Sequence, residues 1–231
     1  MRRSRINAAI DTATAFFERM GFRLPAFACW SPDEWLNAGP EADEARDCML
    51  GWDVTDFGSG DFDQIGRTLF TLRNGRLDDP RYPKVYAEKI MFNPEGQRAP
   101  LHYHQSKMED IINRGGGNVL ITVWKAGPDN LPSDEPLVLS ISGFTRQVSP
   151  GSTLRIEPGE SICLPPKTFH QFWGEAGTGP SMSGEVSSVC SDKTDNYFLE
   201  RRERFPAVDE DEPARHVLCS EYPRQHGQSS E

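Results

Sequence analysis

Three of the five histidines in this chain fall where they can share one cation. His102 and His104 flank Tyr103. In an extended strand alternate side chains share a face, so both imidazoles point the same way. Glu109 follows soon after, close enough for a turn to bring it back from the next strand, and Gly96 and Gly116 bracket the group. Much later Gly151, Pro158-Gly159 and a short run ending at Pro165-Pro166 lead to His170, which supplies a fourth ligand from a separate hairpin. Three imidazoles and one carboxylate suit Mn, Fe, Ni, Co or Zn, with positions left open for water or substrate. A lone HxH is more often two ordinary polar residues. Here the HxH stands with a spaced glutamate, bracketing glycines and a distant PG…H.

The elements that must position these residues are mostly strands. In 231 residues there are 20 glycines and 18 prolines, too many for a helical bundle and natural for strands joined by turns. Apolar residues make up only 36%, yet 10% are aromatic, including five tryptophans, which argues for a real core. Short β-prone runs occur at 67–73, 85–92, 101–104, 118–124, 137–142, 153–157, 161–164 and 183–190, and Asn74-Gly75 after the first is a hairpin signal. Residues 1–50 read instead as a helical extension. Ile6, Ile10, Ala13, Phe17 and Met20 give helical periodicity over 4–20, with Gly21 as a stop. Ser31-Pro32-Asp33-Glu34 has the form of a capping box, and a third helix is expected over roughly 40–49. The expected organisation is this extension, a barrel over 51–212 and a C-terminal tail over 213–231, frayed from Gln225 onward.

Charge excludes some partners. With 25 basic against 35 acidic residues the net charge is −10, a poor basis for binding nucleic acid or an anionic membrane. Arg2, Arg3 and Arg5 read as a solvated end. No run approaches a membrane span, and Asp11 and Glu18 interrupt what a signal peptide would need, so a cytoplasmic location is the default. The five cysteines are odd in number, widely spaced and without a CxxC, which points to idle reduced thiols.

The two histidine motifs together resemble the signature of the cupins, and so imply an all-β dominated fold, a double-stranded β-helix barrel with its metal in the mouth. The stretch LHYHQSKMEDIINRGGGN (101–118) is similar to the metal-binding segment of the D-lyxose isomerase family, cupin-type sugar isomerases. GEVSSV (184–189), TDN (194–196) and RFP (204–206) fall where that family has similar runs, and the likeness spans about 65–212. It implies His102, His104, Glu109 and His170 as ligands of a divalent ion, usually Mn(2+). It also implies free aldoses of the lyxose and mannose series as substrates, with xylulose and fructose as their ketoses. Lys193 and the charged run 200–203 depart from the family pattern and bear on substrate, not metal. Gly115-Gly116-Gly117 precedes a strand rather than a helix, so it reads as a tight turn and not a phosphate loop.

Aldose–ketose interconversion needs a base that reaches a carbon-bound proton. Lys89 is one candidate, on a strand face shared with Val85, Ala87 and Met91. Glu185 is the other, on a face with Ser187 and Val189, where burial would raise its pKa. Lys107 could orient a sugar hydroxyl or pair with a carboxylate. Arg204, with the acidic run 209–212, could form a lid or rim, and Phe172 could line a sugar site. A homodimer is expected. Two other classes share the ligand set: metal-dependent dioxygenases and non-catalytic sugar-binding cupins. The residues around the ligands favour the isomerase.

Overall fold

A computed structural model describes residues 1–191 and 194–223. Lys193 and the stretch from Gln225 onward lie outside the described residues. The chain opens with α1 (Arg3–Arg19), α2 (Pro32–Asn37) and α3 (Asp43–Asp47). The strands β1 (Gly51–Thr55), β2 (Arg67–Arg73), β3 (Tyr86–Asn93), β4 (His102–His104) and β5 (Glu109–Gly116) follow. Next come β6 (Val119–Lys125), β7 (Leu137–Ile141), β8 (Phe144–Val148), β9 (Thr153–Ile156) and β10 (Ser161–Leu164). The last are β11 (Thr168–Gly174), β12 (Ser181–Ser188) and β13 (Asn196–Phe198). One antiparallel sheet runs β1-β2-β3-β12-β5-β10-β7-β8 and a second runs β13-β4-β11-β6-β9. Together they close a barrel.

The expected helices are present. In α1 the apolar stripe of Ile6, Ile10, Ala13, Phe16 and Phe17 is buried against the outer face of the first sheet. Phe16 meets Phe92 of β3 with ring centroids 5.1 Å apart, and Phe17 stacks on Trp52 of β1. Ser31 caps α2 with a full capping box. Among the described residues no helix is long and apolar enough to cross a membrane.

Arg3 is not part of a solvated end. Its buried guanidinium bonds Glu210 and Glu221, so the acidic run 209–212, although largely solvent-exposed, is held against the start of α1. Residue Arg2 gives α1 no side-chain cap, and the run replaces it. Asp209 O accepts from Arg3 N, Asp211 from Ser4 N and Oγ, and Glu212 from Asn7. Carboxylates placed there complement the positive end of the helix dipole. Beyond them Val217, Leu218 and Cys219 are buried and Tyr222 packs on Trp35.

Asn74-Gly75 does not form a two-residue hairpin. β2 and β3 do pair antiparallel, but the chain between them covers residues 74–85. The Asn74 side chain instead bonds the carbonyls of Cys48 and Cys190 and the Cys190 N–H. A Cβ on Gly75 would stand 1.8 Å from the Lys84 carbonyl oxygen, so the glycine admits a close backbone approach. The triplet Gly115-Gly116-Gly117 does turn β5 into β6. At Gly116, φ is 85° and a Cβ would meet the Pro180 carbonyl and the Phe16 ring.

Inside, the barrel has two halves. Leu69, Met91, Ile111, Ile121, Leu139, Ile162 and Phe172 belong to an aliphatic plug. The other half is polar and carries the site.

Candidate metal centre

β4 is only three residues long, yet it is pinned on both sides. His102 pairs with His170 of β11, and Asn196 and Phe198 of β13 pair with His104 and His102. Period-2 alternation turns Tyr103 outward, where it is fully buried between Phe169 and Tyr197 and donates to Asn130 Oδ1. Both imidazoles of β4 therefore face inward beside His170. Their ligand atoms all lie within 4.8 Å of one another, a group that could hold a metal ion.

Glu109 opens β5 in the facing sheet, with Oε1 at 3.0 Å from His170 Nε2 and 3.4 Å from His104 Nε2. The Nδ1 atoms of His102 and His170 lie 2.8 and 2.9 Å from the carbonyls of Pro100 and Thr168. A carbonyl only accepts, so Nδ1 carries the proton and the Nε2 lone pair is aimed at the centre. His170 Nε2 and Glu109 Oε1 are buried with no hydrogen-bond partner. Two acceptors held face to face without a proton between them are what a shared cation resolves, so the residues fit a divalent ion. Burial, with the neighbouring charges, holds the His102 and His104 pKa values below the ordinary histidine value, which keeps these imidazoles neutral for ligation.

The charged residues behind the ligands form one chain. Lys107 Nζ sits 2.7 Å from Glu109 Oε2 and 2.8 Å from Glu185 Oε1, and Lys89 Nζ sits 3.6 Å from that same Glu185 oxygen and 3.0 Å from Cys190 Sγ. Lys89 thus faces the barrel interior with Ala87 and Met91, whereas Val85 lies before the strand and is exposed. Burial alone would raise the Glu185 pKa, but Lys107 and Lys89 outweigh it and hold it below the ordinary glutamate value. The expected raised pKa is therefore reversed. Glu109 is likewise pushed up by burial and pulled well below the usual range, most strongly by the Lys107 ammonium. Burial opposes the Lys107 charge, yet the two carboxylates push its pKa above that of ordinary lysine.

His102, His104, Glu109, His170, Lys89, Lys107, Glu185, Phe172 and Arg204 all line one cavity of about 480 Å³, including its open end, whereas none of the acidic run 209–212 does. Phe172 faces it from β11, two residues beyond His170, and also packs into the aliphatic plug. Arg204 reaches it while paired with buried Asp53. Sequence reasoning misses Arg67, Asn196 and Phe198 in the lining. It also misses Asp195, which accepts from the backbone N–H of Ser106 and Lys107 and from Ser106 Oγ, and so fixes the loop that carries Lys107. The TDN run is its only trace.

A closed antiparallel barrel with three imidazoles and a carboxylate at its mouth is the cupin arrangement. Two solved structures share the fold across nearly their whole length. The L-ribose isomerase of Cellulomonas parahominis, solved with L-ribose, superposes with a TM-score of 0.60 at 16% identity, covering 90% of this chain and 98% of that one. That of Geodermatophilus obscurus gives a TM-score of 0.60 at 17% identity with the same coverage. The D-lyxose isomerase family profile matches residues 1–222, and the chain belongs to that family and is a sugar isomerase. It is 48% identical over 223 residues to the D-lyxose/D-mannose isomerase of Escherichia coli O157:H7, covering 96% of this chain and 98% of that one. It is 44% identical over 225 residues to the protein of the same name from Serratia proteamaculans, covering 97% and 99%.

Proposed function

We propose that the enzyme interconverts D-lyxose with D-xylulose and D-mannose with D-fructose by enediol proton transfer. His102, His104, Glu109 and His170 would hold the divalent ion, manganese in this reading. Such an ion supplies Lewis acidity that polarises the sugar's carbonyl and hydroxyl oxygens. Support for the sugars comes from the two relatives, each named D-lyxose/D-mannose isomerase and alike over almost the full length.

The observation that carries the mechanism is the Glu185 carboxylate, buried in the cavity and held ionised between Lys107 and Lys89. An ionised carboxylate is the right state for taking the C2 proton and, once protonated, delivering a proton to C1. Lys89 is the less suited base, because its ammonium faces a carboxylate and serves Glu185 as counter-charge. Lys107 spans Glu109 and Glu185 and can donate to the sugar oxygens as they gain charge. Arg204 at the rim and the Phe172 ring contact the sugar's hydroxyls and its apolar face.

The reading carries a cytoplasmic workplace, which suits five free cysteines, and a homodimer. Exposed Tyr86, Met108 and Val186, on β3, just before β5 and on β12, are the apolar surface that a second copy would cover. Light scattering after size exclusion reads the dimer directly. The activity is tested by NMR on purified protein with added Mn(2+). Ketose should form from D-lyxose and D-mannose and cease with EDTA, whereas failure to convert either sugar overturns the reading.

A further inference from the structure

Arg67 opens β2, and its guanidinium ends in the site cavity at 5% exposure. Its partners are neutral. Nη1 donates to Asn93 Oδ1 at 2.7 Å and Nη2 to the Phe172 carbonyl at 3.4 Å, and the Phe172 ring centroid lies 4.1 Å away. The Asn93 amide donates in turn to Ser183 Oγ at 2.9 Å, which orients its oxygen toward the guanidinium. The cation is locked in place.

Among the described residues the other buried cations are answered by carboxylates, Lys107 by Glu109 and Glu185, Lys89 by Glu185, and Arg3 by Glu210 and Glu221, and half-buried Arg204 likewise pairs with Asp53. Among the described residues no carboxylate pairs with Arg67. Burial lowers its pKa to about 10, with Glu185 and Glu109 working against the shift and Arg204 adding to it, so it stays charged at neutral pH. A buried charge with only neutral partners is costly unless a ligand answers it. Phe172, on which it rests, lies about 7 Å along β11 from His170. The reacting carbons belong beside Glu109 and Glu185, so Arg67 faces the far end of a bound sugar. Neutral hydroxyls there can accept hydrogen bonds but leave the charge unanswered. A carboxylate answers it and matches the fork.

We propose that the site also accepts hexuronates, aldoses whose far carbon is a carboxylate, and that Arg67 recognises that carboxylate. The proposal rests on the isomerase reading above. In the reaction the base takes the C2 proton and a proton is delivered to C1, and the C2 hydroxyl proton passes to O1. The aldehyde becomes an alcohol, C2 becomes a ketone, the carboxylate is unchanged and nothing else is consumed.

The test uses the full chain with Mn(2+), D-mannuronate and D-mannose, with NMR for turnover and calorimetry for binding. Wild type should convert both. Arg67→Met should lower kcat/KM by about a hundredfold for the uronate and about tenfold or less for mannose, because a neutral hydroxyl loses only a hydrogen bond. Equal losses for both sugars would make Arg67 a barrel clamp and overturn the proposal. So would conversion of mannose with neither turnover nor binding of mannuronate. If neither sugar is converted the isomerase reading fails, and calorimetry still decides recognition: mannuronate binding lost in Arg67→Met upholds it, and no binding overturns it. Should Arg67→Met not fold, wild type is titrated with the neutral amide of mannuronate. Weaker binding of the amide than of the acid upholds the proposal, and equal binding overturns it.

Discussion

Along β2, β3 and β12, successive residues meet two different chemistries. On the outer face Phe70, Ile90, Phe92 and Met182 join α1 in a dry aromatic cluster with Trp52 and Phe17. On the inner face of the same strands stand Arg67, Lys89, Asn93, Ser183 and Glu185. Both faces are buried, so the strands read as nearly continuous buried runs rather than as an in-out alternation. The helical cover makes this possible. Without α1 the outer face would be exposed apolar surface, whereas with it that face supplies stability and leaves the inner face free to hold charge. Stability and chemistry are thus separated by one residue of register.

If that separation is real, inner and outer substitutions give different signatures. The largest effect belongs to the ligands: His170→Ala should abolish bound metal and lower activity by about a thousandfold or more. Metal analysis beside kinetics reads both, and normal far-UV circular dichroism should show the fold kept. Next, Glu185→Gln should keep the metal while kcat drops by about a hundred- to ten-thousandfold. Its pH signature has a definite sign. Because the folded protein holds Glu185 below the ordinary value, the carboxylate persists as pH falls through that value. The acid limb of wild-type kcat should then lie below about pH 4.3 rather than near neutrality. The stability this ion pairing contributes is present above that value and is lost as pH falls through the lowered one.

On the outer face, Phe17→Ala should cost about 3–5 kcal/mol in denaturant melts, with kcat/KM of the folded fraction unchanged. A large loss of turnover at constant stability would break the separation. Smallest is Ser31→Ala, which removes the capping box of α2 for about 1 kcal/mol and should leave metal and kinetics untouched.

Much of the site was legible because it depends on short-range periodicity. Alternation sends His102 and His104 inward together, and it likewise places Lys89 and Glu185 on inner faces, where the two stand opposite each other in the β3–β12 register. What escapes is set by distant partners. Asn74-Gly75 has the local chemistry of a hairpin, but Asn74 is claimed by Cys48 and Cys190 and Gly75 by Lys84. Burial of Glu185 is foreseeable, but two lysines reversing its effect are not. Arg67 is merely the first residue of a β-prone run until Asn93 and Phe172 surround it. The acidic run at 209–212 shows no partner until α1 lies against it. β1 (GWDVT) and β8 (FTRQV) carry too little pattern, one buried on both faces and the other almost wholly exposed.

The central claim is that inner-face Glu185 moves the C2 proton of the sugar. It is tested most directly with D-mannose deuterated at C2, incubated with wild type and with metal-loaded Glu185→Gln, following the label by NMR. The account predicts that wild type releases deuterium to solvent as fructose forms, and that Glu185→Gln releases almost none. Complete transfer of deuterium to C1, or an undiminished rate in Glu185→Gln, would contradict it.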